Sequence, residues 1–391
     1  MRSAAKSIFT FSTALAAISF AAAPAHAQLV GDDVVTALNT QLGYQGSSIE
    51  GGSVATSGDT VTISGATFNS GSEEAFTISE LVLTGVQATG DGGYTIDTAT
   101  VPSFTVNDSG TEFTVGDIQV TNYVIAPVSE TDPIARSGLF DTMLVGPIAV
   151  SENGVLGFSM AGVELKVGPY APGQVWTSSV VASDFELNPV VFDDAQTQAA
   201  LSSLGYDTLT GDITMNATWA AESGALGIED FLIDVDNAAG LEIDLGLGGY
   251  TMELVDAMQK INATAENDQA AGMAMLGLMQ QLEITGAAIT VSDASLTNKL
   301  LEFFGAQQGT DAEGMKAFAK GMLPLGLAQL QSPAFAAKAT AAVGAFLDNP
   351  GKLIVEAQPA APIPVMALAG PAMSGNPAQL IETLSLDIRA E

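Results

Sequence analysis

The first half of the chain alternates apolar and polar positions with a period of two. The alternating runs are rich in Thr, Val, Ile and Phe, and turn-forming segments such as Asp91-Gly92-Gly93 separate them. This pattern is typical of antiparallel strands with one apolar and one polar face. It predicts a long β-meander between residues 46 and 192, with strands over residues 60–63, 76–83, 94–96, 104–106, 113–115, 118–120, 144–150, 155–167 and 176–187.

The pattern changes after Tyr250. Residues 252–282 and 293–347 are rich in Ala, Leu, Met and Gly at spacings compatible with helices, and a strand is predicted between them at 283–291. Strands return at 352–357 and 386–390. We therefore predict an α+β fold, predominantly an antiparallel β-meander that forms a long curved sheet, with the helical region 252–347 covering it.

Two parts of the chain resemble each other in sequence. Leu42-Gly43-Tyr44 has a counterpart in Leu204-Gly205-Tyr206, each at the end of a predicted short helix. Three further pairs follow at a nearly constant offset of about 150 residues: Gly58-Asp59 with Gly211-Asp212, Ala66-Thr67-Phe68 with Ala217-Thr218-Trp219, and residues 76–81 with 226–231. We predict two similar units, 28–190 and 191–391, each a helix followed by a β-meander. The second also contains the helical insertion 252–347 and C-terminal strands. Chance similarity between Gly- and Thr-rich strands is the alternative.

The N-terminus has the features of a secretory signal peptide, residues 1–27. Arg2 and Lys6 precede an apolar stretch over residues 8–23, and Ala25-His26-Ala27 supplies a small-x-small cleavage pattern. We predict cleavage after Ala27 and export to the periplasm. The alternative, an N-terminal membrane anchor, needs about 20 apolar residues, more than this stretch provides. The other apolar windows are too short or interrupted, so the cleaved chain is predicted not to be an integral membrane protein.

Composition and charge exclude several classes of function. The 391 residues contain 44 acidic and 11 basic side chains, a formal net charge of -33. Nucleic acid is excluded as a partner, because binding it requires Lys and Arg side chains that displace counterions. The chain contains no Cys, and its one His, His26, belongs to the predicted signal peptide. Catalytic triads and metal sites built on Cys or His are therefore excluded, and we predict no cofactor.

The negative charge is concentrated in the strand-rich part of the chain. Residues 28–259 contain 32 acids against two bases, Arg136 and Lys166, whereas residues 260–391 contain 12 acids and seven bases. The helical part is therefore the nearly neutral, apolar end of a strongly acidic molecule.

One acidic segment is a candidate metal site. Asp234 and Asp236 precede the predicted turn Ala238-Ala239-Gly240, and Glu242 and Asp244 follow it. Residues two apart on a strand share a face, so a hairpin would gather the four carboxylates. Calcium binds such oxygen clusters, but the segment lacks the Gly and Glu positions of the usual calcium loop. A solvated acidic face is the interpretation that we favour.

Five methionines of the helical region are candidate ligand-lining residues: Met252, Met258, Met273, Met275 and Met279. Methionine adapts to irregular apolar space, and Met-rich helices over a sheet can repack around variable apolar ligands. Thioethers also bind Cu(I), but no Cys or His is available to complete a copper site. The sequence therefore favours core or lipid-lining roles for these side chains.

Paired carboxylates are the remaining route to catalysis. Glycoside hydrolases use two carboxylates, and aromatic side chains pack against their sugar substrates. Aromatic residues make up only 6% of this chain, and its two tryptophans are Trp176 and Trp219. We therefore predict that the protein is not an enzyme and keep a carboxylate-based glycoside hydrolase as a disfavoured alternative.

Three features extend over most of the chain after residue 27. They are the repeated Leu-Gly-Tyr segments, the meanders that begin near Gly-Asp, and residues 346–353 leading to the Pro-rich residues 359–364. In these features the chain resembles uncharacterised exported envelope proteins of the AsmA-like and YdgA-type families. The resemblance implies a long curved antiparallel sheet whose concave face holds acyl chains, and it carries over no catalytic residues. Many of those proteins are tethered by an N-terminal helix, from which this chain departs by its cleavable signal.

These observations predict a non-enzymatic periplasmic envelope protein that binds lipid or another apolar ligand between its sheet and its helices. The first alternative is a structural or interaction module of the cell envelope without a small ligand. The expected partners are lipid or another envelope protein. A sheet with one apolar face must cover that face with helices, with another sheet or with a ligand, which is why the first interpretation leads.

Overall fold

The structure is a computed structural model that describes residues 29–44, 46–69, 75–108, 110–189, 195–264 and 268–391. The predicted signal peptide lies outside the described residues. The helices are α1 (Gly31–Tyr44), α2 (Pro133–Ser137), α3 (Ala195–Ser203), α4 (Met252–Thr264), α5 (Asp268–Met279), α6 (Leu296–Gln307), α7 (Ala312–Leu327), α8 (Pro333–Asp348), α9 (Val365–Met373) and α10 (Pro377–Thr383).

The strands of the first half are β1 (Ser48–Ser57), β2 (Thr60–Asn69), β3 (Ala75–Thr84), β4 (Gln87–Ala88), β5 (Tyr94–Val101), β6 (Phe104–Asp108), β7 (Thr111–Val115), β8 (Ile118–Ile125), β9 (Thr142–Val145), β10 (Ile148–Glu152), β11 (Val155–Met160), β12 (Gly162–Val167) and β13 (Trp176–Leu187). Those of the second half are β14 (Leu209–Ala220), β15 (Ala225–Val235), β16 (Ala239–Gly248), β17 (Glu283–Asp293), β18 (Lys352–Ala357), β19 (Ile363–Pro364) and β20 (Leu386–Ala390).

All of these strands belong to one 20-stranded antiparallel sheet. Strands β5 and β6, β7 and β8, β9 and β10, and β11 and β12 are successive halves of interrupted long strands, because each half pairs with the matching half of its neighbour. With these halves joined, the long strands follow one another in chain order from β1 to β20. The predicted α+β fold, a long curved antiparallel meander with several helices, is confirmed.

The two predicted units share this single sheet. Strand β13 of the first unit pairs directly with β14 of the second, and α3 lies in the connection between them. In the β2–β3 hairpin Phe68 is opposite Phe76, and in the β14–β15 hairpin Trp219 is opposite Leu226, as the sequence matching places them. The units are therefore continuous in space, and their origin by duplication stays a prediction.

The ends of the two matched helices are also alike. The Arg136 guanidinium lies 3.8 Å from the centre of the Tyr44 ring at the end of α1, and the Lys299 ammonium lies 3.7 Å from that of Tyr206 after α3. The Gly-Asp pairs, in contrast, are not equivalent. Gly58-Asp59 forms the turn between β1 and β2, whereas Gly211-Asp212 lies inside β14. The second meander therefore starts at the equivalent of β2.

The larger core lies beneath α1. Val34 and Leu38 of this helix pack against an apolar patch of the sheet that includes Ile49, Val61, Ile63, Leu81, Leu83, Ile96 and Ile125. The helix contacts the paired strands β1 and β2 and also β8, which β3 and β5 separate from β2 in the sheet. The sheet must therefore curve around α1 to bring them to one helix.

Gln41 ties α1 to the far side of this curve. Its buried side-chain amide donates to the Tyr123 hydroxyl over 2.7 Å and to the Val124 carbonyl over 3.3 Å, and its oxygen accepts from the Ala126 amide over 2.8 Å.

We expect Gln41→Met to lower the free energy of unfolding by about 1–3 kcal/mol, because buried backbone groups lose their partners. Urea denaturation measures the change. The exposed Thr40→Ala is the control and should cost less than about 0.5 kcal/mol; equal losses would contradict the role of Gln41.

A smaller core lies at the other edge of the sheet. Ala339 and Ala342 of α8 pack with Ile388 of β20, and Leu353 and Val355 of β18 complete the cluster. Helices α6, α7 and α8 contact one another in succession, and α8 makes the main contacts with β18 and β20. The helical region therefore covers the sheet chiefly at this edge. Within the described residues, no helix combines the length and the apolar character that crossing a bilayer requires.

Candidate functional site

A continuous line of apolar side chains crosses most of the sheet. Each member is the direct cross-strand partner of the next, and we name the line the apolar row. Its members are Val101, Ile118, Val145, Val163, Ala182, Ile213, Ile233, Leu241, Val291, Leu353 and Ala390. Neighbouring strands lie about 4.8 Å apart, so the row is on the order of 50 Å long.

The two faces of the sheet differ along this row. Directly opposite partners point to the same face, and positions one residue away point to the other. The positions adjacent to the row include Gln119, Glu164, Thr214, Glu242 and Arg389, mixed with some apolar side chains. The apolar row therefore marks one face of the sheet as consistently apolar.

Both ends of the apolar row are covered, Ala182 near its middle is buried, and its open part lies on β16 and β17. Val101 packs against the core beneath α1, and Leu353 packs in the core beneath α8. Between them Leu241 is exposed, and Ile289, two positions from Val291 on the same face of β17, is 48% exposed. An accessible apolar surface thus lies between two helix-covered ends.

Both tryptophans of the chain lie side by side on this face. Trp176 at the start of β13 is directly opposite Trp219 near the end of β14, with ring centroids 6.3 Å apart. Tyr170 flanks Trp176 and Tyr250 flanks Trp219, each with a centroid distance of 5.8 Å. The indole nitrogens donate to backbone carbonyls, Trp176 to Gly168 over 2.9 Å and Trp219 to Tyr250 over 2.7 Å. The polar atoms of the indoles are therefore satisfied within the protein.

The rings of Trp176, Trp219 and Tyr250 line an apolar cavity of about 420 Å³ between the sheet and α4, which we name the tryptophan cavity. Val255 of α4 contributes one wall, and Leu165, Ala217 and Leu226 of the sheet contribute others. No charged side chain is among its described lining residues. Its volume is in the range of small-molecule sites, and its lining suits an apolar group rather than an ionic one.

The Tyr170 hydroxyl beside this cavity is fixed as a hydrogen-bond donor. It donates to the Asp132 carboxylate over 2.6 Å, and burial, that hydrogen bond and the nearby acids raise the pKa of Tyr170 well above its ordinary value. Asp132 also accepts from the amides of Ile134 and Ala135 at the start of α2. The carboxylate therefore positions α2 and the Tyr170 ring.

The structure separates the four acids of the candidate calcium site. The side-chain oxygens of Glu242 and Asp244 come within 4.8 Å of each other and of Asp230, a residue outside the prediction. Asp234 is opposite Gly240, and Asp236 lies in the turn and accepts from Thr210. The predicted group of four is therefore replaced by a group of three.

Two of the three grouped carboxylates, those of Asp230 and Asp244, have a structural role at a β-bulge. Asp230 has a φ of 51° in the bulge of β15, where its amide donates to the Asp244 carboxylate over 2.9 Å. Asn216 donates to the Asp230 carboxylate over 3.2 Å. These contacts account for part of the group without an ion, and the calcium hypothesis stays a prediction.

The candidate methionines lie on α4 and α5. Met252, Met258 and Met275 are half-buried, whereas Met279 is exposed and Met273 is 70% exposed. None of the five is among the described residues that line the tryptophan cavity, to which α4 contributes Val255 instead. Side chains of the strands, of their flanking loops and of α4 therefore line this cavity in place of the predicted methionines.

Neither of two cavities on the sheet combines the carboxylates and the aromatic side chains of a glycoside hydrolase. The tryptophan cavity has aromatic walls but no carboxylate among its described lining residues. A groove of about 280 Å³ on the sheet has carboxylates from Glu229, Asp244 and Glu356, but no aromatic side chain among its described lining residues. The hydrolase alternative therefore gains no support from either place.

Comparison with known proteins gives a family match to the second half of the chain. A family model described as an uncharacterised protein matches residues 232–391, less than half of the chain. The matched segment begins inside β15 and includes the strands and helices up to β20. No curated protein matches the chain.

Proposed function

We propose that the protein is a non-enzymatic periplasmic protein of the cell envelope that binds lipid or another apolar ligand on the apolar face of its sheet. The observation that carries the proposal is the apolar row, open on β16 and β17 between two helix-covered ends, together with the uncharged tryptophan cavity on the same face of the sheet. A large exposed apolar patch on a folded protein marks a binding surface. The periplasmic location rests on the signal peptide predicted from the sequence.

The chemistry of the site favours a hydrocarbon chain as the ligand. The row is long and narrow, and burying an apolar chain along it gains about 25 cal/mol per Å² of surface removed from water. The described lining of the tryptophan cavity offers no cation to pair with an anionic head group and no carboxylate to pair with an amine. The head group is therefore left in solvent, and binding depends on the chain rather than on the charge of the head.

Intrinsic fluorescence tests this proposal at the site itself. Trp176 and Trp219 are the two tryptophans of the chain and both line the cavity, so a bound quencher reports on this place. We expect a monoacyl phosphatidylcholine with a brominated chain to quench the emission, and the unbrominated lipid to leave it unquenched. Ala217→Leu fills part of the cavity and should weaken binding about tenfold.

The control variant is Ala55→Leu, the same substitution at an exposed position of β1. It should bind the brominated lipid as the unmodified protein does. Equal weakening in both variants would contradict binding in the cavity. Absence of quenching, together with no lipid in organic extracts of the purified protein, would overturn the proposal and favour the structural or interaction module.

A further inference from the structure

Helix α7 exposes apolar side chains to solvent along one face. Phe318 is 55% exposed, Met322 is 47% exposed and Leu325 is 66% exposed. Their spacings of four and three residues place them on the same side of the helix. The helix packs against α6 and α8, so the exposed face is turned away from those contacts. We name these three residues the α7 face.

The surroundings of the α7 face extend its apolar character. An uncharged cavity of about 340 Å³ lies where α7 meets α8, and Pro324, Leu327, Pro333 and Ala336 are among its lining residues. The sequence from residue 321 to residue 337 contains no charged side chain. A continuous surface without charge therefore runs from the α7 face to the start of α8.

The charge of this part of the molecule differs from that of the rest. Helices α7 and α8 carry three lysines and two acids, a net charge of +1, whereas residues 28–259 have 32 acids and two bases. Lys316 pairs with Glu313 over 2.8 Å and Lys320 pairs with Asp348 over 2.7 Å. Charges farther away than about 8 Å are largely screened at physiological ionic strength. The α7 face can therefore approach a phospholipid surface without removing charged side chains of its own from water.

We propose that the α7 face docks on the surface of a zwitterionic phospholipid bilayer. Phe318, Met322 and Leu325 enter the boundary between head groups and acyl chains. Lys316 and Lys320, each two residues from Phe318, lie on the opposite side of the helix in their ion pairs with Glu313 and Asp348. The inference rests on the proposed function, because it names the bilayer as the place where the apolar ligand is taken up or released.

A bilayer fits this surface better than a protein partner does. The centres of protein interfaces are enriched in aromatic, Met and Arg side chains and also make directional hydrogen bonds. The α7 face offers Phe318 and Met322 but no Arg and no side-chain hydrogen-bond donor, and its exposed neighbours are mainly Ala, Gly and Pro. A bilayer needs only apolar area and tolerates such a featureless surface.

Flotation with phosphatidylcholine vesicles tests the docking. We expect the unmodified protein, without its signal peptide, to float with the vesicles at physiological ionic strength. Replacing Phe318, Met322 and Leu325 together with Ser should reduce the bound fraction at least about tenfold, because the apolar area that enters the bilayer is lost. The control replaces Val106, Val155 and Leu156 with Ser, since these side chains are comparably exposed on the acidic sheet.

A second measurement locates the contact. Because the chain contains no Cys, Met322→Cys gives a single site for a polarity-sensitive fluorophore. We expect its emission to shift to the blue when vesicles are added, and the same label on Leu156→Cys to remain unchanged. Failure of the unmodified protein to float, equal losses in the two triple variants, or equal shifts at the two labels would overturn docking through α7.

The two proposals fail in distinguishable ways. Tryptophan quenching by the brominated monoacyl lipid is measured without vesicles, and the α7 triple variant should retain it in full. Quenching without flotation would overturn only the docking. Flotation through α7 without quenching would overturn only the ligand site in the tryptophan cavity.

Discussion

Replacing Ile63 with Ala is expected to lower the free energy of unfolding by about 3–4 kcal/mol. Ile63 is 1% exposed and lies in the core in which α1 packs on the sheet, with Val34, Leu83 and Ile96 in the same cluster. Truncation leaves a cavity. The cavity cannot collapse, because α1 and the neighbouring strands hold its walls in place. Urea denaturation followed by circular dichroism measures the change.

The matched control is Ile289→Ala, because Ile289 belongs to the open part of the apolar face. This side chain is already in contact with water, so its truncation should cost less than about 1 kcal/mol. Equal losses at the two positions would contradict the division of the sheet face into a covered end and an open part on β16 and β17. The pair of variants therefore tests the architecture on which the proposed ligand surface depends.

Replacing Gly249 with Ala is expected to cost about 3–5 kcal/mol. Gly249 has a φ of +78°, and a Cβ atom there would lie 1.9 Å from the carbonyl oxygen of Gln281. The backbone must shift, and the next residue, Tyr250, accepts the hydrogen bond of the Trp219 indole. We therefore expect altered tryptophan emission and weaker lipid quenching in addition to the loss of stability.

Gly58→Ala separates backbone conformation from the steric clash. Gly58 lies in the β1–β2 turn with a φ of +64°, but no other part of the protein comes within 4 Å of the place that an alanine methyl group would occupy. Only the conformational cost of about 1–2 kcal/mol remains, and the tryptophan emission should be unchanged. If Gly58→Ala were as harmful as Gly249→Ala, contact with Gln281 would not be the cause.

The meander could be predicted from the sequence because its cause is local. Alternation of side chains along a strand needs no knowledge of the partner strand, so the run over residues 176–187 predicts β13 with its bounds. The strand predicted at 283–291 between helical segments is also present, as β17 (Glu283–Asp293). The period-two alternation of apolar and polar residues, together with the turn residues, therefore predicts the fold class.

The tryptophan cavity could not be predicted, because it depends on register. Trp176 and Trp219 lie on neighbouring strands, but the chain between β13 and β14 includes α3, and its length does not determine which residues become opposite each other. The cavity wall from Val255 depends in addition on where α4 packs. The pairing of the two tryptophans and the position of α4 depend on tertiary packing, which a local sequence pattern does not predict.

The acidic hairpin shows the same limit at a finer scale. The turn begins early enough to include Asp236, and the bulge in β15 brings Asp230 next to Asp244. A period-two pattern assumes uninterrupted strands, whereas a bulge inserts a residue and changes which side chains meet. The group of Asp230, Glu242 and Asp244 follows from that insertion.

The order of the sheet also has a consequence for how the chain acquires its structure. The buried residues of the core beneath α1 all lie between Val34 and Ile125, and later strands are added one after another beside strands that precede them in the chain. Such short-range pairing avoids the entropic cost of closing long loops. For a chain that crosses a membrane N-terminus first, as the proposed export requires, a folded starting template is available while the rest of the polypeptide is still being delivered.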